Sequence, residues 1–241
     1  MLWFSKNNSP EARNWFGAIY MKPLFGAFLG MLASAIIMQF LMKDTADLPQ
    51  STSFIISLLP LHFIATGIFI YKLSPAVLQL GANLVLQWKT SNRHPWRWLA
   101  MLFFGIIAAS MFVNLLTVVV CRLFNRPVIQ QEIVGKLIDS QDSLFILLSG
   151  IAAVILAPVT EELLFRLGLY NVLTTRLSPT ISALATSLLF AAAHGQLSTI
   201  PCLFVIGLFL QYSKIRFGLR HSIILHACYN AFQFSMILLI M

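Results

Sequence analysis

Seven apolar runs, each near the length of a bilayer crossing, follow one another along this chain and limit its fold more than any other feature. They fall at about 24–42, 54–73, 98–121, 144–165, 179–194, 199–213 and 221–240. A helix of roughly 17–25 apolar residues crosses ~30 Å of hydrocarbon. Only 10% of the 241 residues are charged, where soluble domains average about 25%. The expected class is therefore all-α: a polytopic helical membrane protein with about seven, or eight, transmembrane helices. Residues 1–143 are read as N-terminal membrane-spanning helices and 144–241 as the core that carries chemistry. No internal repeat or low-complexity tract divides the chain further.

The formal net charge of +8 would suit a nucleic-acid partner, but its placement argues against one. The basic residues lie between the apolar runs, as in cytoplasmic loops that face anionic lipid. Lys6, Arg13, Lys22, Lys72, Lys89, Arg93, Arg97, Arg176, Lys214, Arg216 and Arg220 fall on one side of the expected topology. That side is the cytoplasm, so the amino terminus is placed there, in a cell inner or plasma membrane. Seven crossings put the carboxyl terminus outside. The first 22 residues carry charges but no continuous apolar core, so a cleavable signal peptide is not expected. The bilayer is the expected partner, and no sequence feature specifies an oligomer. Between Pro75 and Asn92, Val77, Leu80, Leu84 and Trp88 recur at helical spacing, which suggests a lipid-facing helix on the cytoplasmic surface. Cys121, Cys202 and Cys228 form no CxxC pair and imply no disulfide framework. Cys228, among apolar neighbours, reads as helix packing.

The informative residues are those that break the apolar pattern. Pro158-Val-Thr-Glu161-Glu162-Leu-Leu-Phe-Arg166 places three ionisable side chains in a membrane-length run. A charge at the bilayer centre costs roughly 2.5 kcal/mol or more, so each needs a partner or a cavity. Glu162 precedes Arg166 by four residues, the spacing and order of a helical ion pair. That leaves Glu161, about 100° around the helix, for a separate task. Pro158 removes a backbone donor, which in an α-helix would free the carbonyl of Val154 and permit a kink. The bland alternative is a helix end carrying a surface salt bridge.

Two further stretches echo this one: Phe190-Ala-Ala-Ala-His194 and His226-Ala-Cys-Tyr-Asn230. Ser178-Pro179 reads as an N-cap followed by a first-turn proline, and Gly195 as a stop. The run from Pro179 to His194 covers only ~24 Å at 1.5 Å per residue, so the turn after His194 is expected below the membrane surface. Irregular backbone at that depth requires burial in protein or a wet cavity. His226 and Asn230, four apart, share a helix face, and both can donate hydrogen bonds toward a developing oxyanion. Their bland reading is polar glue between helices. For Glu161 and His194 to meet, Glu161 must sit near mid-membrane and the short fifth span must stop early; a fourth helix from about Gly150 to Arg176 would do this. The set of a carboxylate, two histidines and an amide suits activation of water. Two histidines and a carboxylate would also permit zinc, without requiring it, although HExxH is absent.

In this order, Glu161-Glu162-xxx-Arg166, Phe190-xxx-His194 and His226-xxx-Asn230 resemble the CPBP family. These are the intramembrane CAAX prenyl endopeptidases and bacteriocin-processing proteins, also called the abortive-infection family. The resemblance covers roughly 144–241. It implies a site of Glu161, Glu162, His194, His226 and Asn230, in which Glu161 and His194 activate water and His226 and Asn230 line an oxyanion hole. Glu162 and Arg166 would support the first helix of that site. The implied activity is intramembrane hydrolysis of a hydrophobic or membrane-tethered peptide, by a glutamate-based mechanism that requires no metal. A catalytically silent scaffold or immunity factor built on the same fold is the alternative. A transporter is a third reading, disfavoured by the lack of inverted repeats and paired broken helices.

Overall fold

The computed structural model describes residues 95–127 and 132–241, with Pro49, Tyr71 and the short stretches 25–27, 51–53 and 67–68. Every element longer than a single turn among these residues is helical. α1 is Pro95–Leu123, α2 is Glu132–Ile138 and α3 is one continuous helix, Ser143–Leu173. α4 is Pro179–Ala192, α5 is Ile200–Phe217 and α6 is Leu219–Leu238.

The expectation of seven or eight transmembrane helices is corrected by these helices. Among the described residues, three are long and apolar enough to cross a membrane: Trp96–Leu123, Ser143–Leu173 and Leu197–Phe217. They are the apolar helices of an integral membrane protein. α4 is apolar but has only 14 residues. α6 has 20 residues, but Arg220, His221, His226, Asn230 and Gln233 interrupt its apolar run. Counting apolar runs therefore overstates the crossings, because α4 is too short and α6 carries polar residues that bond to α3. The runs at 24–42 and 54–73, the expected surface helix at 75–92 and the amino-terminal segment lie outside the described residues, apart from the short stretches named above.

Local sequence explains where the helices start and stop. Asp142 caps α3: its Oδ1 accepts the backbone N–H groups of Leu144 and Phe145, both at 3.0 Å. Its Oδ2 accepts the N–H of Ser51 at 3.1 Å. These bonds hold the Asp142 carboxyl below its ordinary value, the bond from Phe145 being the largest cause and Ser51 the next. Ser178 caps α4 through Ile181 N–H at 3.3 Å, with Pro179 in the first turn. Gly195, at φ +75°, turns the chain after α4 in a conformation that glycine adopts without strain. A single 3-10 turn, Leu197–Thr199, leads into α5. Gly218, at φ +103°, separates α5 from α6.

α5 is the central element and packs against α4, α6 and α1. Ile106 of α1, Cys202, Ile206 and Leu210 of α5, and Leu225 and Tyr229 of α6 form one buried apolar cluster. A second joins Leu137 of α2 to Phe145 and Ala152 of α3, with Phe234 and Ile237 of α6 packed on it. Gly150 lets Phe234 approach closely, since a β-carbon there would lie 2.9 Å from its ring. α3 and α6 are thus held face to face, with Glu162 and Arg166 of α3 and His226 of α6 turned into the same interior.

Candidate active site

α3 is not a uniform α-helix. Two π-helical stretches, Ala152–Leu156 and Glu162–Leu169, flank the short α-helical piece Ala157–Glu161. Wide π turns inside α-helices occur often at functional sites, because they shift side chains out of α register. The cause of the first is visible in its hydrogen bonds. Ala157 N–H reaches back five residues to the carbonyl of Ala152. In that register the next donor would serve Ala153, but the next residue is Pro158, which has no N–H. Asn230 Nδ2 of α6 donates to the orphaned Ala153 carbonyl at 2.8 Å. The π register moves the orphan from Val154 to Ala153, and a side chain on another helix satisfies it.

One turn further on, the carboxylates meet α6. Glu162 is fully buried and shares its two oxygens among three partners. Oε1 lies 3.5 Å from Arg166 Nη1 and 3.1 Å from His226 Nδ1, and Oε2 lies 2.6 Å from the Ser222 hydroxyl. Arg166 is also fully buried, so the pair is internal to the protein and not a surface salt bridge. Its Nη2 donates to the carbonyl of Gly207 at 3.4 Å, and its guanidinium lies 4.2 Å from the centre of the Phe190 ring. Opposite charges and a ring face compensate the desolvation of the cation.

Glu161 differs from its neighbour. Its side chain is 21% exposed, and its Oε2 lies 3.7 Å from His226 Nε2. His226 therefore spans the two carboxylates, Nδ1 toward Glu162 and Nε2 toward Glu161. Because Glu162 accepts, Nδ1 of His226 carries a hydrogen. His194 sits at the end of α4 and is half-buried, with Nδ1 2.9 Å from the carbonyl of Phe190. A carbonyl only accepts, so Nδ1 is the donor and Nε2 is left for other chemistry. The Phe190 ring makes edge contacts with both histidines, its centre 5.0 Å from that of His194 and 5.9 Å from that of His226.

The structure thus gathers Glu161, Glu162, His226 and Arg166 into direct contact. His194 joins through the Phe190 ring and bonds to neither glutamate. Asn230 lies one turn beyond His226 and spends one amide hydrogen on Ala153. Ser222 carries no signal in sequence beyond its spacing, four residues before His226 on the face that continues to Asn230. Phe190, whose ring touches Arg166 and both histidines, has a role that spacing alone does not convey. A third described histidine, His221, is buried elsewhere, 2.7 Å from the Ser213 hydroxyl and 4.7 Å from the Phe217 ring, where it locks the α5–α6 turn.

Among the described residues, no three His, Cys, Asp or Glu side chains converge to hold a metal ion.

Comparison with known proteins agrees with this geometry. Residues 143–232 match the family described as type II CAAX prenyl endopeptidase, Rce1-like. An uncharacterized 24.3 kDa protein of Escherichia coli is 42% identical over 87 residues, which is 34% of this chain and 40% of that protein. The chain thus spans about two fifths of the length of the curated relative it matches. No solved structure matches it. The matched segment begins at the Asp142 cap of α3 and ends just past Asn230 in α6, so it takes in every residue of the cluster. Over residues 143–232, the chain is therefore similar to the Rce1-like family of type II CAAX prenyl endopeptidases.

Proposed function

We infer that this protein is an intramembrane endopeptidase that hydrolyses a peptide bond of a hydrophobic or membrane-tethered substrate. One observation carries the reading: within a buried carboxylate–histidine cluster on membrane helices, Glu161 is the carboxylate left partly open. Glu162 is saturated by Arg166, Ser222 and His226, so it holds His226 in place. In the proposed reaction, water between Glu161 and His194 Nε2 loses a proton to Glu161 as its oxygen attacks the peptide carbon. Charge gathers on the carbonyl oxygen, opposite the remaining amide hydrogen of Asn230 and a protonated Nε2 of His226. Glu161 then delivers its proton to the amine nitrogen as the C–N bond breaks. No metal takes part in this reading. The excess of Lys and Arg on one set of loops supports a cytoplasmic amino terminus.

The test uses the full chain in lipid nanodiscs with a panel of membrane-tethered peptides, prenylated and not. Wild type is expected to generate new termini at a rate that chelator leaves unchanged. Glu161→Gln and His194→Ala are expected to lose about 10²–10⁴-fold, the usual range for removing a general acid–base. Undiminished cleavage by Glu161→Gln would sink the assignment. A silent scaffold is the second reading, favoured by the structural use of Asn230. It predicts that Glu161→Gln changes no phenotype.

A further inference from the structure

Behind the cluster, α4 and α5 enclose a seam of polar groups that the site does not use. Their backbones nearly touch where Ser187 faces Gly207: a β-carbon at Gly207 would lie 3.0 Å from Ser187 Cβ and 3.2 Å from its Cα. The helices are joined by a short turn and run antiparallel. One turn from this crossing, Gln211 of α5 therefore comes level with Ser182 and Thr186 of α4. Ser182, Thr186, Ser187 and Gln211 are all at most 1% exposed. Their three hydroxyls and both amide atoms of Gln211 have no hydrogen-bond partner in the protein. The seam ends at Arg166, which bonds to the Gly207 carbonyl and whose Nε is likewise without a partner.

Buried polar groups are almost always satisfied, and this many in one seam mark a ligand with both donor and acceptor capacity. An anion would suit Arg166 and the hydroxyls but would repel the Gln211 carbonyl and stand beside Glu162. A cation would be repelled by Arg166. Water satisfies all of them at once.

We propose that the α4–α5 seam is a buried water-binding site, lined by Ser182, Thr186, Ser187 and Gln211 and ending on the Arg166 guanidinium. Phe190, packed against Arg166 on one side and both histidines on the other, separates this water from Glu161 and His194. The seam water hydrates the buried cation, whose Nε and Nη1 find no hydrogen-bond acceptor in the protein. The inference rests on the seam's own geometry and not on the proposed reaction.

The test follows magnetisation transfer from water to the Gln211 side-chain amide in full-length, 15N-glutamine-labelled protein in nanodiscs. The resonance pair is assigned by its loss in Gln211→Leu. The expected result is a strong water cross-peak in wild type that is lost in Thr186→Val and kept in Thr186→Ser. A wild-type amide with no water cross-peak, still protonated after hours in D2O, would overturn the proposal. An unchanged cross-peak in Thr186→Val would overturn it too, since water would then reach Gln211 by another path. A response to chloride titration alone would replace water with an anion. None of these readings depends on peptidase activity, so failure of the proposed reaction would leave them standing.

Discussion

Replacing Arg166 with methionine isolates the buried ion pair, since Met keeps much of the volume and none of the charge. It would leave Glu162 ionised in the interior with two of its three partners, His226 Nδ1 at 3.1 Å and Ser222 at 2.6 Å. Breaking a buried pair by removing one partner costs about 3–5 kcal/mol. The two surviving contacts place this case at the lower end, about 3 kcal/mol. Loss of the cation over Phe190, 4.2 Å from its ring centre, adds about 0.5–2 kcal/mol. Removing both charges is a different matter, because no uncompensated ion is left: Glu162→Gln/Arg166→Met is expected to cost only about 1–2 kcal/mol. Unfolding can be followed with a thiol-reactive dye at Cys202, which is 6% exposed, after Cys121→Ser and Cys228→Ser remove the two more exposed thiols. A single variant that loses less than ~1 kcal/mol, or a double variant whose loss equals the sum of the singles, would refute the argument.

Two further predictions follow from the caps and the π register. Asn230→Ala strands the Ala153 carbonyl and should cost about 1–3 kcal/mol. Adding Pro158→Ala supplies the missing backbone N–H and should recover part of that loss in the same dye assay; no recovery would mean that the π register is not caused by Pro158. The Asp142 carboxyl, held below its ordinary value of 3.8 by Phe145 and Ser51, contributes stability that is present above that value. It is lost as pH falls through the lowered folded value. Asn also caps helices but does not titrate, so Asp142→Asn should flatten the dependence of the unfolding midpoint between pH 5 and pH 2. Parallel curves for the two proteins would contradict this.

Much of the fold between residue 95 and the carboxyl terminus is legible in the sequence, because apolar runs and caps act locally. The Ser178-Pro179 start and the Gly195 stop of α4 are read directly from residue types. The pairing of Glu162 with Arg166 follows from spacing alone. What is not legible depends on contacts between helices. Hydropathy ends the fourth run near residue 165, and only the need to bring Glu161 toward His194 extends it toward Arg176. The helix runs to Leu173, with Glu162 covered by α6 and Arg166 by α4 and α5. The number of crossings is overread for a related reason: α6 looks like a span until its histidines and Asn230 are recognised as interior contacts. The π register depends on a missing donor in α3 and a replacement donor in α6, distant in sequence. His226 reads from sequence as one member of an oxyanion pair, whereas in space it bridges both glutamates. Ser222 was within reach of the same four-residue spacing that linked His226 to Asn230.

The central claim is that Glu161 performs hydrolysis in the membrane. The most direct measurement compares cells expressing wild type and Glu161→Gln at matched membrane levels, mapping new peptide termini in membrane and secreted fractions by mass spectrometry. Termini that appear only with wild type are the predicted result, and they would also name the substrate. Identical profiles, with a phenotype that persists in Glu161→Gln, His194→Ala and His226→Ala alike, would contradict it and leave the fold as a scaffold.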